Sequence, residues 1–454
     1  MRVFLCKKMS IALVMFLMPF AIKAQGTQPP IELTLEKAIE IALSENPTVK
    51  VADMEIQRVD YSQKSAWYNI LPSLTASAQY SKYAAPATMS LAGMVIKLPT
   101  DFNANANLQL SLPLFVPALW ESIKMTQLDM QLAVEKAHAS KITLRNDVTK
   151  AYYGVLLAQD SYKTLQSGLS LAEEVYQQAK SRFEHGISPE FDVISAEVQM
   201  KNLQPGLMEV ENGIEQAKMF LKILLGLEIS QPVTVTGNLI DYENTINETN
   251  SMLNFSLNGN TDLRQIDIQQ KQLERAFALQ RTQRMPTLAA FGTYTYAGTG
   301  NKAGKSFFTQ EYTPASTAWY SQGLLVGMQL SVPLTGIYTN IAKEKQTKIQ
   351  MNQLAMQRDY LKESLDLQVH TALNSMDKAA KQADVAKSNE ALAQKGYDIA
   401  LKRYDTGMGT ILELQNASLS LTQAQLSRRQ AISSYLNDKA DLDKILGADM
   451  DSAK

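Results

Sequence analysis

The sequence predicts a mainly helical chain that also carries four bilayer-length β-strands, built as two tandem copies of one unit. Three observations predict it. The phrase Ala179-Lys180-Ser181-Arg182-Phe183-Glu184-His185-Gly186 returns as Ala400-Leu401-Lys402-Arg403-Tyr404-Asp405-Thr406-Gly407. Apolar residues recur at alternating intervals of three and four over stretches far longer than an ordinary globular helix. Shorter segments alternate apolar and polar side chains with a period of two, as a strand with one apolar and one polar face does.

The duplication extends beyond the repeated phrase. Leu110-Ser111-Leu112-Pro113 is answered by Leu330-Ser331-Val332-Pro333, Leu71-Pro72-Ser73-Leu74 by Met285-Pro286-Thr287-Leu288, and Ile223-Leu224-Leu225-Gly226 by Lys444-Ile445-Leu446-Gly447. The offset of about 214 to 221 residues is too long for a solenoid repeat and fits two copies of a large structural unit. The expected organisation is a first repeat over 25–232, a linker over 233–260, a second repeat over 261–447 and a tail over 448–454.

Residues 1–24 read as a secretory signal peptide: a basic start (Arg2, Lys7, Lys8), an apolar run from Met9 to Phe20, and small residues ending at Ala24. The run is too short to span a bilayer as a helix. The sole cysteine, Cys6, precedes that run, so the mature chain is expected to lack disulfides, a nucleophilic thiolate and a lipid-anchored cysteine. Cleavage also removes four positive charges from a net charge of −1, leaving a mildly acidic chain without a Lys/Arg-dense tract, which argues against nucleic acid as a partner. No later stretch approaches the roughly 20 apolar residues of a membrane helix, so entry into a membrane must be by strands.

Between Trp120 and Gly186 there is no proline, and Val148, Ala151, Val155, Ala158, Tyr162, Leu165, Leu169, Ala172, Tyr176, Ala179 and Phe183 mark a coiled-coil seam. A helix of about 65 residues reaches about 100 Å. The second copy keeps a seam from Val369 to Tyr404, with Glu390 as its one polar interruption. Returning helices are expected over about 191–225 and 411–446, the first bent or interrupted at Pro205-Gly206 because proline removes a helical hydrogen bond.

The strand pairs are expected at 72–82 with 104–114, and at 286–297 with 322–333. Leu74, Ala76, Ala78 and Tyr80 alternate with Thr75, Ser77 and Gln79; Ala104, Ala106, Leu108 and Leu110 alternate with Asn105, Asn107 and Gln109. Phe291 and Leu325 break the polar side of the second pair, and Tyr80, Tyr83, Tyr294, Tyr296, Trp319 and Tyr320 gather toward one end as an interfacial belt does. Pro72, Pro113, Pro286 and Pro333 are expected at the strand-helix junctions. Four strands cannot close a barrel around a channel, and open edges are not tolerated in hydrocarbon, so several subunits must share one barrel.

With Leu33-Thr34-Leu35-Glu36-Lys37-Ala38 and Glu45-Asn46-Pro47 preceding the first strand pair, the chain resembles the TolC-like family of outer-membrane efflux ducts over nearly its whole mature length. The resemblance implies a homotrimer in the outer membrane. Each subunit would add four strands to a shared 12-stranded β-barrel and two hairpins to a trimeric α-barrel in the periplasm. It further implies a periplasmic adaptor (membrane fusion) protein and an inner-membrane RND or ABC-type pump as partners, outer-membrane lipid as surroundings, and neither a cofactor nor enzymatic activity. By that resemblance Arg182, Phe183, Gly186, Arg403, Tyr404 and Gly407 form adaptor-docking tips, and Asp192, Tyr404, Glu413 and Asn416 line a pore gate. Asn416 stands where some members carry a second acidic residue, and Gly409 where some carry a gate arginine. Three Glu413 carboxylates crowded on a threefold axis would repel one another and make closure sensitive to divalent cations.

Other chemistries are disfavoured. His138, His185 and His370 are isolated and fit no metal-ligand spacing. Gly300-Asn301-Lys302-Ala303-Gly304-Lys305-Ser306 resembles a phosphate loop but places Thr299 where the first glycine is required. There is no G-x-S-x-G elbow. A periplasmic adaptor would also carry long hairpins but not four bilayer-length strands, and a purely structural coiled coil has no use for polar alternation. Mass spectrometry of the mature protein is expected to find Gln25 at its N-terminus; a retained Met1 would contradict the signal-peptide reading.

Overall fold

Helix dominates the computed structural model, which describes residues 31–447 apart from 86–87, 92, 98–99, 252–254, 302, 306–311 and 335–336. The expected signal peptide with Cys6, the chain up to Pro30 and the tail over 448–454 lie outside the described residues. A short strand β1 (Ile31–Leu33) leads into α1 (Leu35–Glu45) and α2 (Pro47–Tyr68). Strands β2 (Ser73–Lys82), β3 (Thr88–Leu91), β4 (Met94–Lys97) and β5 (Thr100–Phe115) precede the hairpin of α3 (Pro117–Glu184) and α4 (Glu190–Leu225). After β6 (Val233–Val235), which pairs parallel with β1, a 3-10 segment covers Leu239–Ser251. Then come α5 (Thr261–Thr282), β7 (Thr287–Asn301), β8 (Gly304–Lys305), β9 (Tyr312–Thr313) and β10 (Ser316–Ser331), followed by α6 (Ile337–Asp405) and α7 (Ile411–Leu446).

The long helices α3 and α6 contain 68 and 69 residues, a length of about 100 Å each at 1.5 Å per residue. Helix α3 packs along α4 and α7, and α6 along α7, while α5 lies against both α3 and α6 and α2 against α3. No helix among the described residues is long and apolar enough to cross a membrane. The helix α4 is continuous through Pro205, because packing along α3 outweighs one missing hydrogen bond.

The shorter helices are joined end to end. Asn46 caps α2, its side-chain oxygen accepting from Thr48 N–H at 2.7 Å, while its amide donates 2.7 Å to the Leu224 carbonyl in the last turn of α4. Asn260 does the same between α5 and α7: it accepts from Asp262 and Leu263 N–H at 3.0 Å and donates 2.8 Å to the Ile445 carbonyl. Gly226 and Gly447 end α4 and α7 at φ of 71° and 65°, and a Cβ on either would collide with the Glu45 or Gly259 carbonyl. Glycine is thus required both for the left-handed turn and for the close approach. Two columns result, α4 on α2 and α7 on α5, each pairing 36 residues with 22 to match one long helix.

The main sheet has the order β10-β7-β5-β2, all antiparallel, with β10 and β2 as free edges. Its register sorts the side chains by face. Ala76, Leu108, Tyr294 and Leu324 align across the strands on the apolar face, and Thr75, Gln109 and Thr293 on the other. Phe291 faces the polar side, where its ring packs over Gly327. Tyr80 lies 5.5 Å from Phe102, and Tyr296 stacks on Trp319 at 6.0 Å, forming an aromatic cluster at the end away from the helices. Tyr83 and Tyr320 depart from that expectation: Tyr320 pairs with Ala297 on the opposite face, and the Tyr83 hydroxyl accepts 3.0 Å from the Asn103 side chain.

Three further sequence expectations need correction. Pro113 is not at a junction but inside β5, at a register shift between Pro113 and Phe115, and Pro117 begins α3 instead. Proline is tolerated there because the bulge needs no N–H from it. Pro72, Pro286 and Pro333 do lie between helix and strand. The strands β5, β7 and β10 run further toward the loops than the pattern suggested, with Gly300-Asn301 belonging to β7; Lys302 and Ser306 lie outside the described residues. In the middle of α3 the buried positions are Asp160, Thr164 and Gly168 rather than Tyr162, Leu165 and Leu169.

Asn46 and Asn260 are each buried, so Asn260→Ala removes a cap and strands the Ile445 carbonyl. A loss of about 2 kcal/mol is expected, readable as a lower thermal unfolding temperature of the detergent-extracted protein, with Asn260→Asp recovering only the capping part.

Candidate functional site

Both hairpin turns close in the same way. At the first, Gly186 has φ of 71°, its N–H donates 2.9 Å to Phe183 O, and Ile187 N–H donates 2.8 Å to Arg182 O. At the second, Gly407 has φ of 74°, its N–H reaches Tyr404 O at 3.1 Å, and Met408 N–H reaches Arg403 O at 2.8 Å. This paired pattern satisfies the last carbonyls of α3 and α6 and reverses the chain within a few residues. Thr410 then caps α7 by accepting from Glu413 N–H at 3.2 Å. A side chain at Gly409 would crowd the Arg403 backbone, with a Cβ 3.1 Å from its carbonyl carbon, which explains a glycine there.

Arg182 joins one turn to the other. Its guanidinium donates 2.7 Å to each of the Tyr404 and Asp405 carbonyls, at the C-terminus of α6, and lies 4.5 Å from the centre of the Tyr404 ring. A cation suits both the negative end of the helix dipole and the face of an aromatic ring. The Tyr404 side chain is only 2% exposed and belongs to a tip core with Val175, Ala179, Ala196, Tyr397, Ile411 and Leu414. Ser195 adds a second tie across the hairpins by donating 3.2 Å to Gln415.

Asp192 is drawn into this cluster electrostatically. Burial pushes its carboxyl above the usual carboxylate range, with Arg182 pulling the other way. Burial likewise raises the Tyr404 phenol; Arg182 opposes that shift, and Asp192 and Asp405 add to it. The Tyr404 hydroxyl is buried without a hydrogen-bond partner among the described residues.

The remaining predicted residues separate. Phe183 is exposed and stands outside the tip core that holds Tyr404. Arg403 donates 3.2 Å to Met408 O and lies 3.5 Å from the Glu413 carboxylate, so Glu413 carries a countercharge within its own chain. Asn416 is exposed, its backbone carbonyl accepting from Ser420. Sequence reasoning passed over the exposed apolar side chains that follow the turns: Ile187 and Phe191, 73% and 70% exposed, and Met408, 72% exposed. For Ile187 and Met408 the signal was an apolar residue directly after the turn glycine.

No group of three or more potential metal ligands exists among the described residues. His185 Nδ1 lies 2.7 Å from Ser181 O, while His138 and His370 are each 3.8 Å from a carboxylate one helical turn away. The arrangement offers hydrogen bonds, an aromatic-cation contact and exposed apolar surface.

The family model for outer membrane efflux proteins matches residues 38–227 and 252–448. The chain therefore belongs to that family; it is an outer-membrane protein of the efflux-channel class, a transport family. It is 22% identical over 351 residues to the outer membrane protein TolC of Vibrio cholerae, covering 76% of each chain. Among solved structures, the CmeC outer membrane channel of Campylobacter jejuni superposes with a TM-score of 0.69 at 16% identity, covering 91% of this chain and 85% of that one. The open state of the MtrE outer membrane channel of Neisseria gonorrhoeae gives 0.67 at 20% identity, covering 91% and 89%. At such identities the structural likeness speaks for the fold. TolC-like channels form trimers and work with adaptor and pump partners.

Because the buried Tyr404 hydroxyl has no partner, Tyr404→Phe should change stability by less than about 0.5 kcal/mol, whereas Arg182→Met should loosen the tip, seen as faster proteolysis there. Asp192 has a raised folded-state pKa, so its contribution favours the folded tip at low pH and is lost as pH rises from the ordinary carboxylate range through the raised value. Proteolysis at the tips should quicken more over that window in the wild type than in Asp192→Asn; identical profiles would contradict the assignment.

Proposed function

We propose that this protein is the passive exit duct of a tripartite efflux or type I secretion system. Three copies close one β-barrel of twelve strands in the outer membrane and one helical barrel below it. The observation that carries this reading is the four-stranded sheet with two free edges, one apolar face and helices continuing from every strand. An isolated sheet of this kind leaves backbone groups unpaired in hydrocarbon, and pairing β10 of one copy with β2 of the next removes both edges. The same addition sets α6 beside α2 and α4 of the neighbouring copy. Exposed apolar side chains on α6 (Met356, Tyr360, Leu367) and on α2 and α4 (Met54, Tyr61, Phe220) suit that contact.

The duplicated repeats over 25–232 and 261–447, joined by 233–260, give each copy two columns of the wall. The polar face of the sheet becomes the lumen. Energy comes from the partners, an RND or ABC-type pump and its periplasmic adaptor, because the sequence contains no phosphate-loop motif of its own. The tips dock the adaptor through Arg182, Phe183, Gly186, Arg403, Tyr404, Gly407 and the exposed Ile187 and Met408. The gate residues are Asp192, Tyr404, Glu413 and Asn416, with the Arg182–Tyr404 contact holding the two hairpins of a copy together.

Ile187→Asp places a charge on the exposed tip without touching the core. Export of the pump's substrates by a strain carrying this variant should fall at least about tenfold, the effect of losing an interface anchor, while the protein still reaches the outer membrane as a heat-dissociable oligomer. Unchanged export would contradict tip docking, and export by a strain lacking the gene would contradict the duct.

A further inference from the structure

The apolar interior of the helical hairpins is interrupted at one level, and the interruption is bridged by charges. An upper core includes Leu156 of α3, Ala386 of α6 and Ala431 of α7. A separate tip core begins at Val175, Tyr397 and Leu421 on the same three helices. Between them the inward positions are polar or bare: Asp160 and Thr164 are both buried, and Gly168 faces Thr422, whose hydroxyl would lie 3.2 Å from a Cβ there. At the same level Arg428 of α7 donates 3.1 Å to Glu390 of α6 and 2.5 Å to Glu243 of the 3-10 segment, and Lys387 lies 3.3 Å from Glu243. The side chains of Arg428, Glu243 and Glu390 are 15% to 18% exposed.

The 3-10 segment is therefore a strap tied to both hairpins. Asp160 of α3 accepts 2.9 Å from Leu239 N–H, Tyr435 of α7 donates 3.3 Å to Thr245 O, and Glu243 grips Arg428. Beyond the belt, 391–405 of α6 and 411–427 of α7 extend to the tip as levers of roughly 22 to 26 Å. A seam of continuous apolar packing resists bending, because any displacement exposes apolar surface or opens a void. A belt of charge pairs and small side chains permits it, because a few polar contacts can exchange for water at modest cost.

We infer that this belt is the flexing level of the second hairpin, and that Arg428, held by Glu390 and by Glu243 of the strap, is the clasp that keeps the tip body aligned with the barrel above it. The link to opening rests on the duct reading; the flexing itself does not. Glu390, the polar interruption of the α6 seam, thereby acquires a role: it supplies the clasp on the helix that moves.

Hydrogen exchange on the detergent-extracted full chain tests the clasp, and planar-bilayer recording tests its link to opening. Arg428→Met and Glu243→Gln should each speed exchange over 391–427 about tenfold while leaving 431–445 within about twofold, since sub-global openings are read segment by segment. Both should raise the fraction of time the channel is open. Glu243 lies in the strap and on neither hairpin, so Glu243→Gln leaves the helices' own sequences intact and decides the matter even where Arg428→Met fails to assemble. Faster exchange spread equally over both segments, or no change in either variant, overturns the clasp. Faster tip exchange with unaltered opening overturns its link to gating. A wild-type protein that never conducts overturns the duct reading instead and leaves the exchange pattern to judge the belt.

Discussion

Two buried asparagines hold the molecule to its full length. A helix ends with unpaired N–H groups at one terminus and unpaired carbonyls at the other, and burying either without partners costs free energy. Asn46 and Asn260 each serve an N-terminus with the side-chain oxygen and another helix's C-terminus with the amide, so that both ends are partnered inside one close junction. Gly226 and Gly447 allow the approach. Without these junctions α2 and α5 would not continue the lines of α4 and α7, and the long helices α3 and α6 would lose packing partners over their upper parts.

Everything above and below follows from that vertical continuity. Each column delivers its helix to a strand, so the order of helices becomes the order β10-β7-β5-β2 in the sheet. Of the charged residues in these four strands, only Lys82 and Asp101 occur, at the end away from the helices. Apart from Phe291 and Leu325, the polar side is mostly amide, hydroxyl and small side chains, which leave it without a strong fixed field. Charged side chains lie instead along the helices, and at the belt and the tips Arg182, Arg403 and Arg428 each join separate segments.

Much of this was legible in the sequence, and the failures have physical causes. The period-two segments gave the strands and their faces because burial on one side fixes alternation, and the glycines at 186 and 407 stand at turns because a left-handed residue is needed there. Pro113 misled because proline marks both strand ends and bulges, and only the pairing of β5 with β7 distinguishes them. The α3 seam drifted because Asp160, Thr164 and Gly168 look like solvent positions until the strap and α7 are seen to cover them. The Arg182 bridge and the Arg403–Glu413 pair join residues more or less distant along the chain, and no local pattern announces which charge meets which carbonyl or carboxylate.

The central claim is that copies of this chain share one barrel and one helical conduit. Electron microscopy of the detergent-extracted outer-membrane fraction, with class averaging, tests it most directly. The account predicts a threefold cylinder with a helical rod about 100 Å long, the reach of α3 and α6. A compact monomer, or protein recovered only from the soluble periplasm, would contradict it.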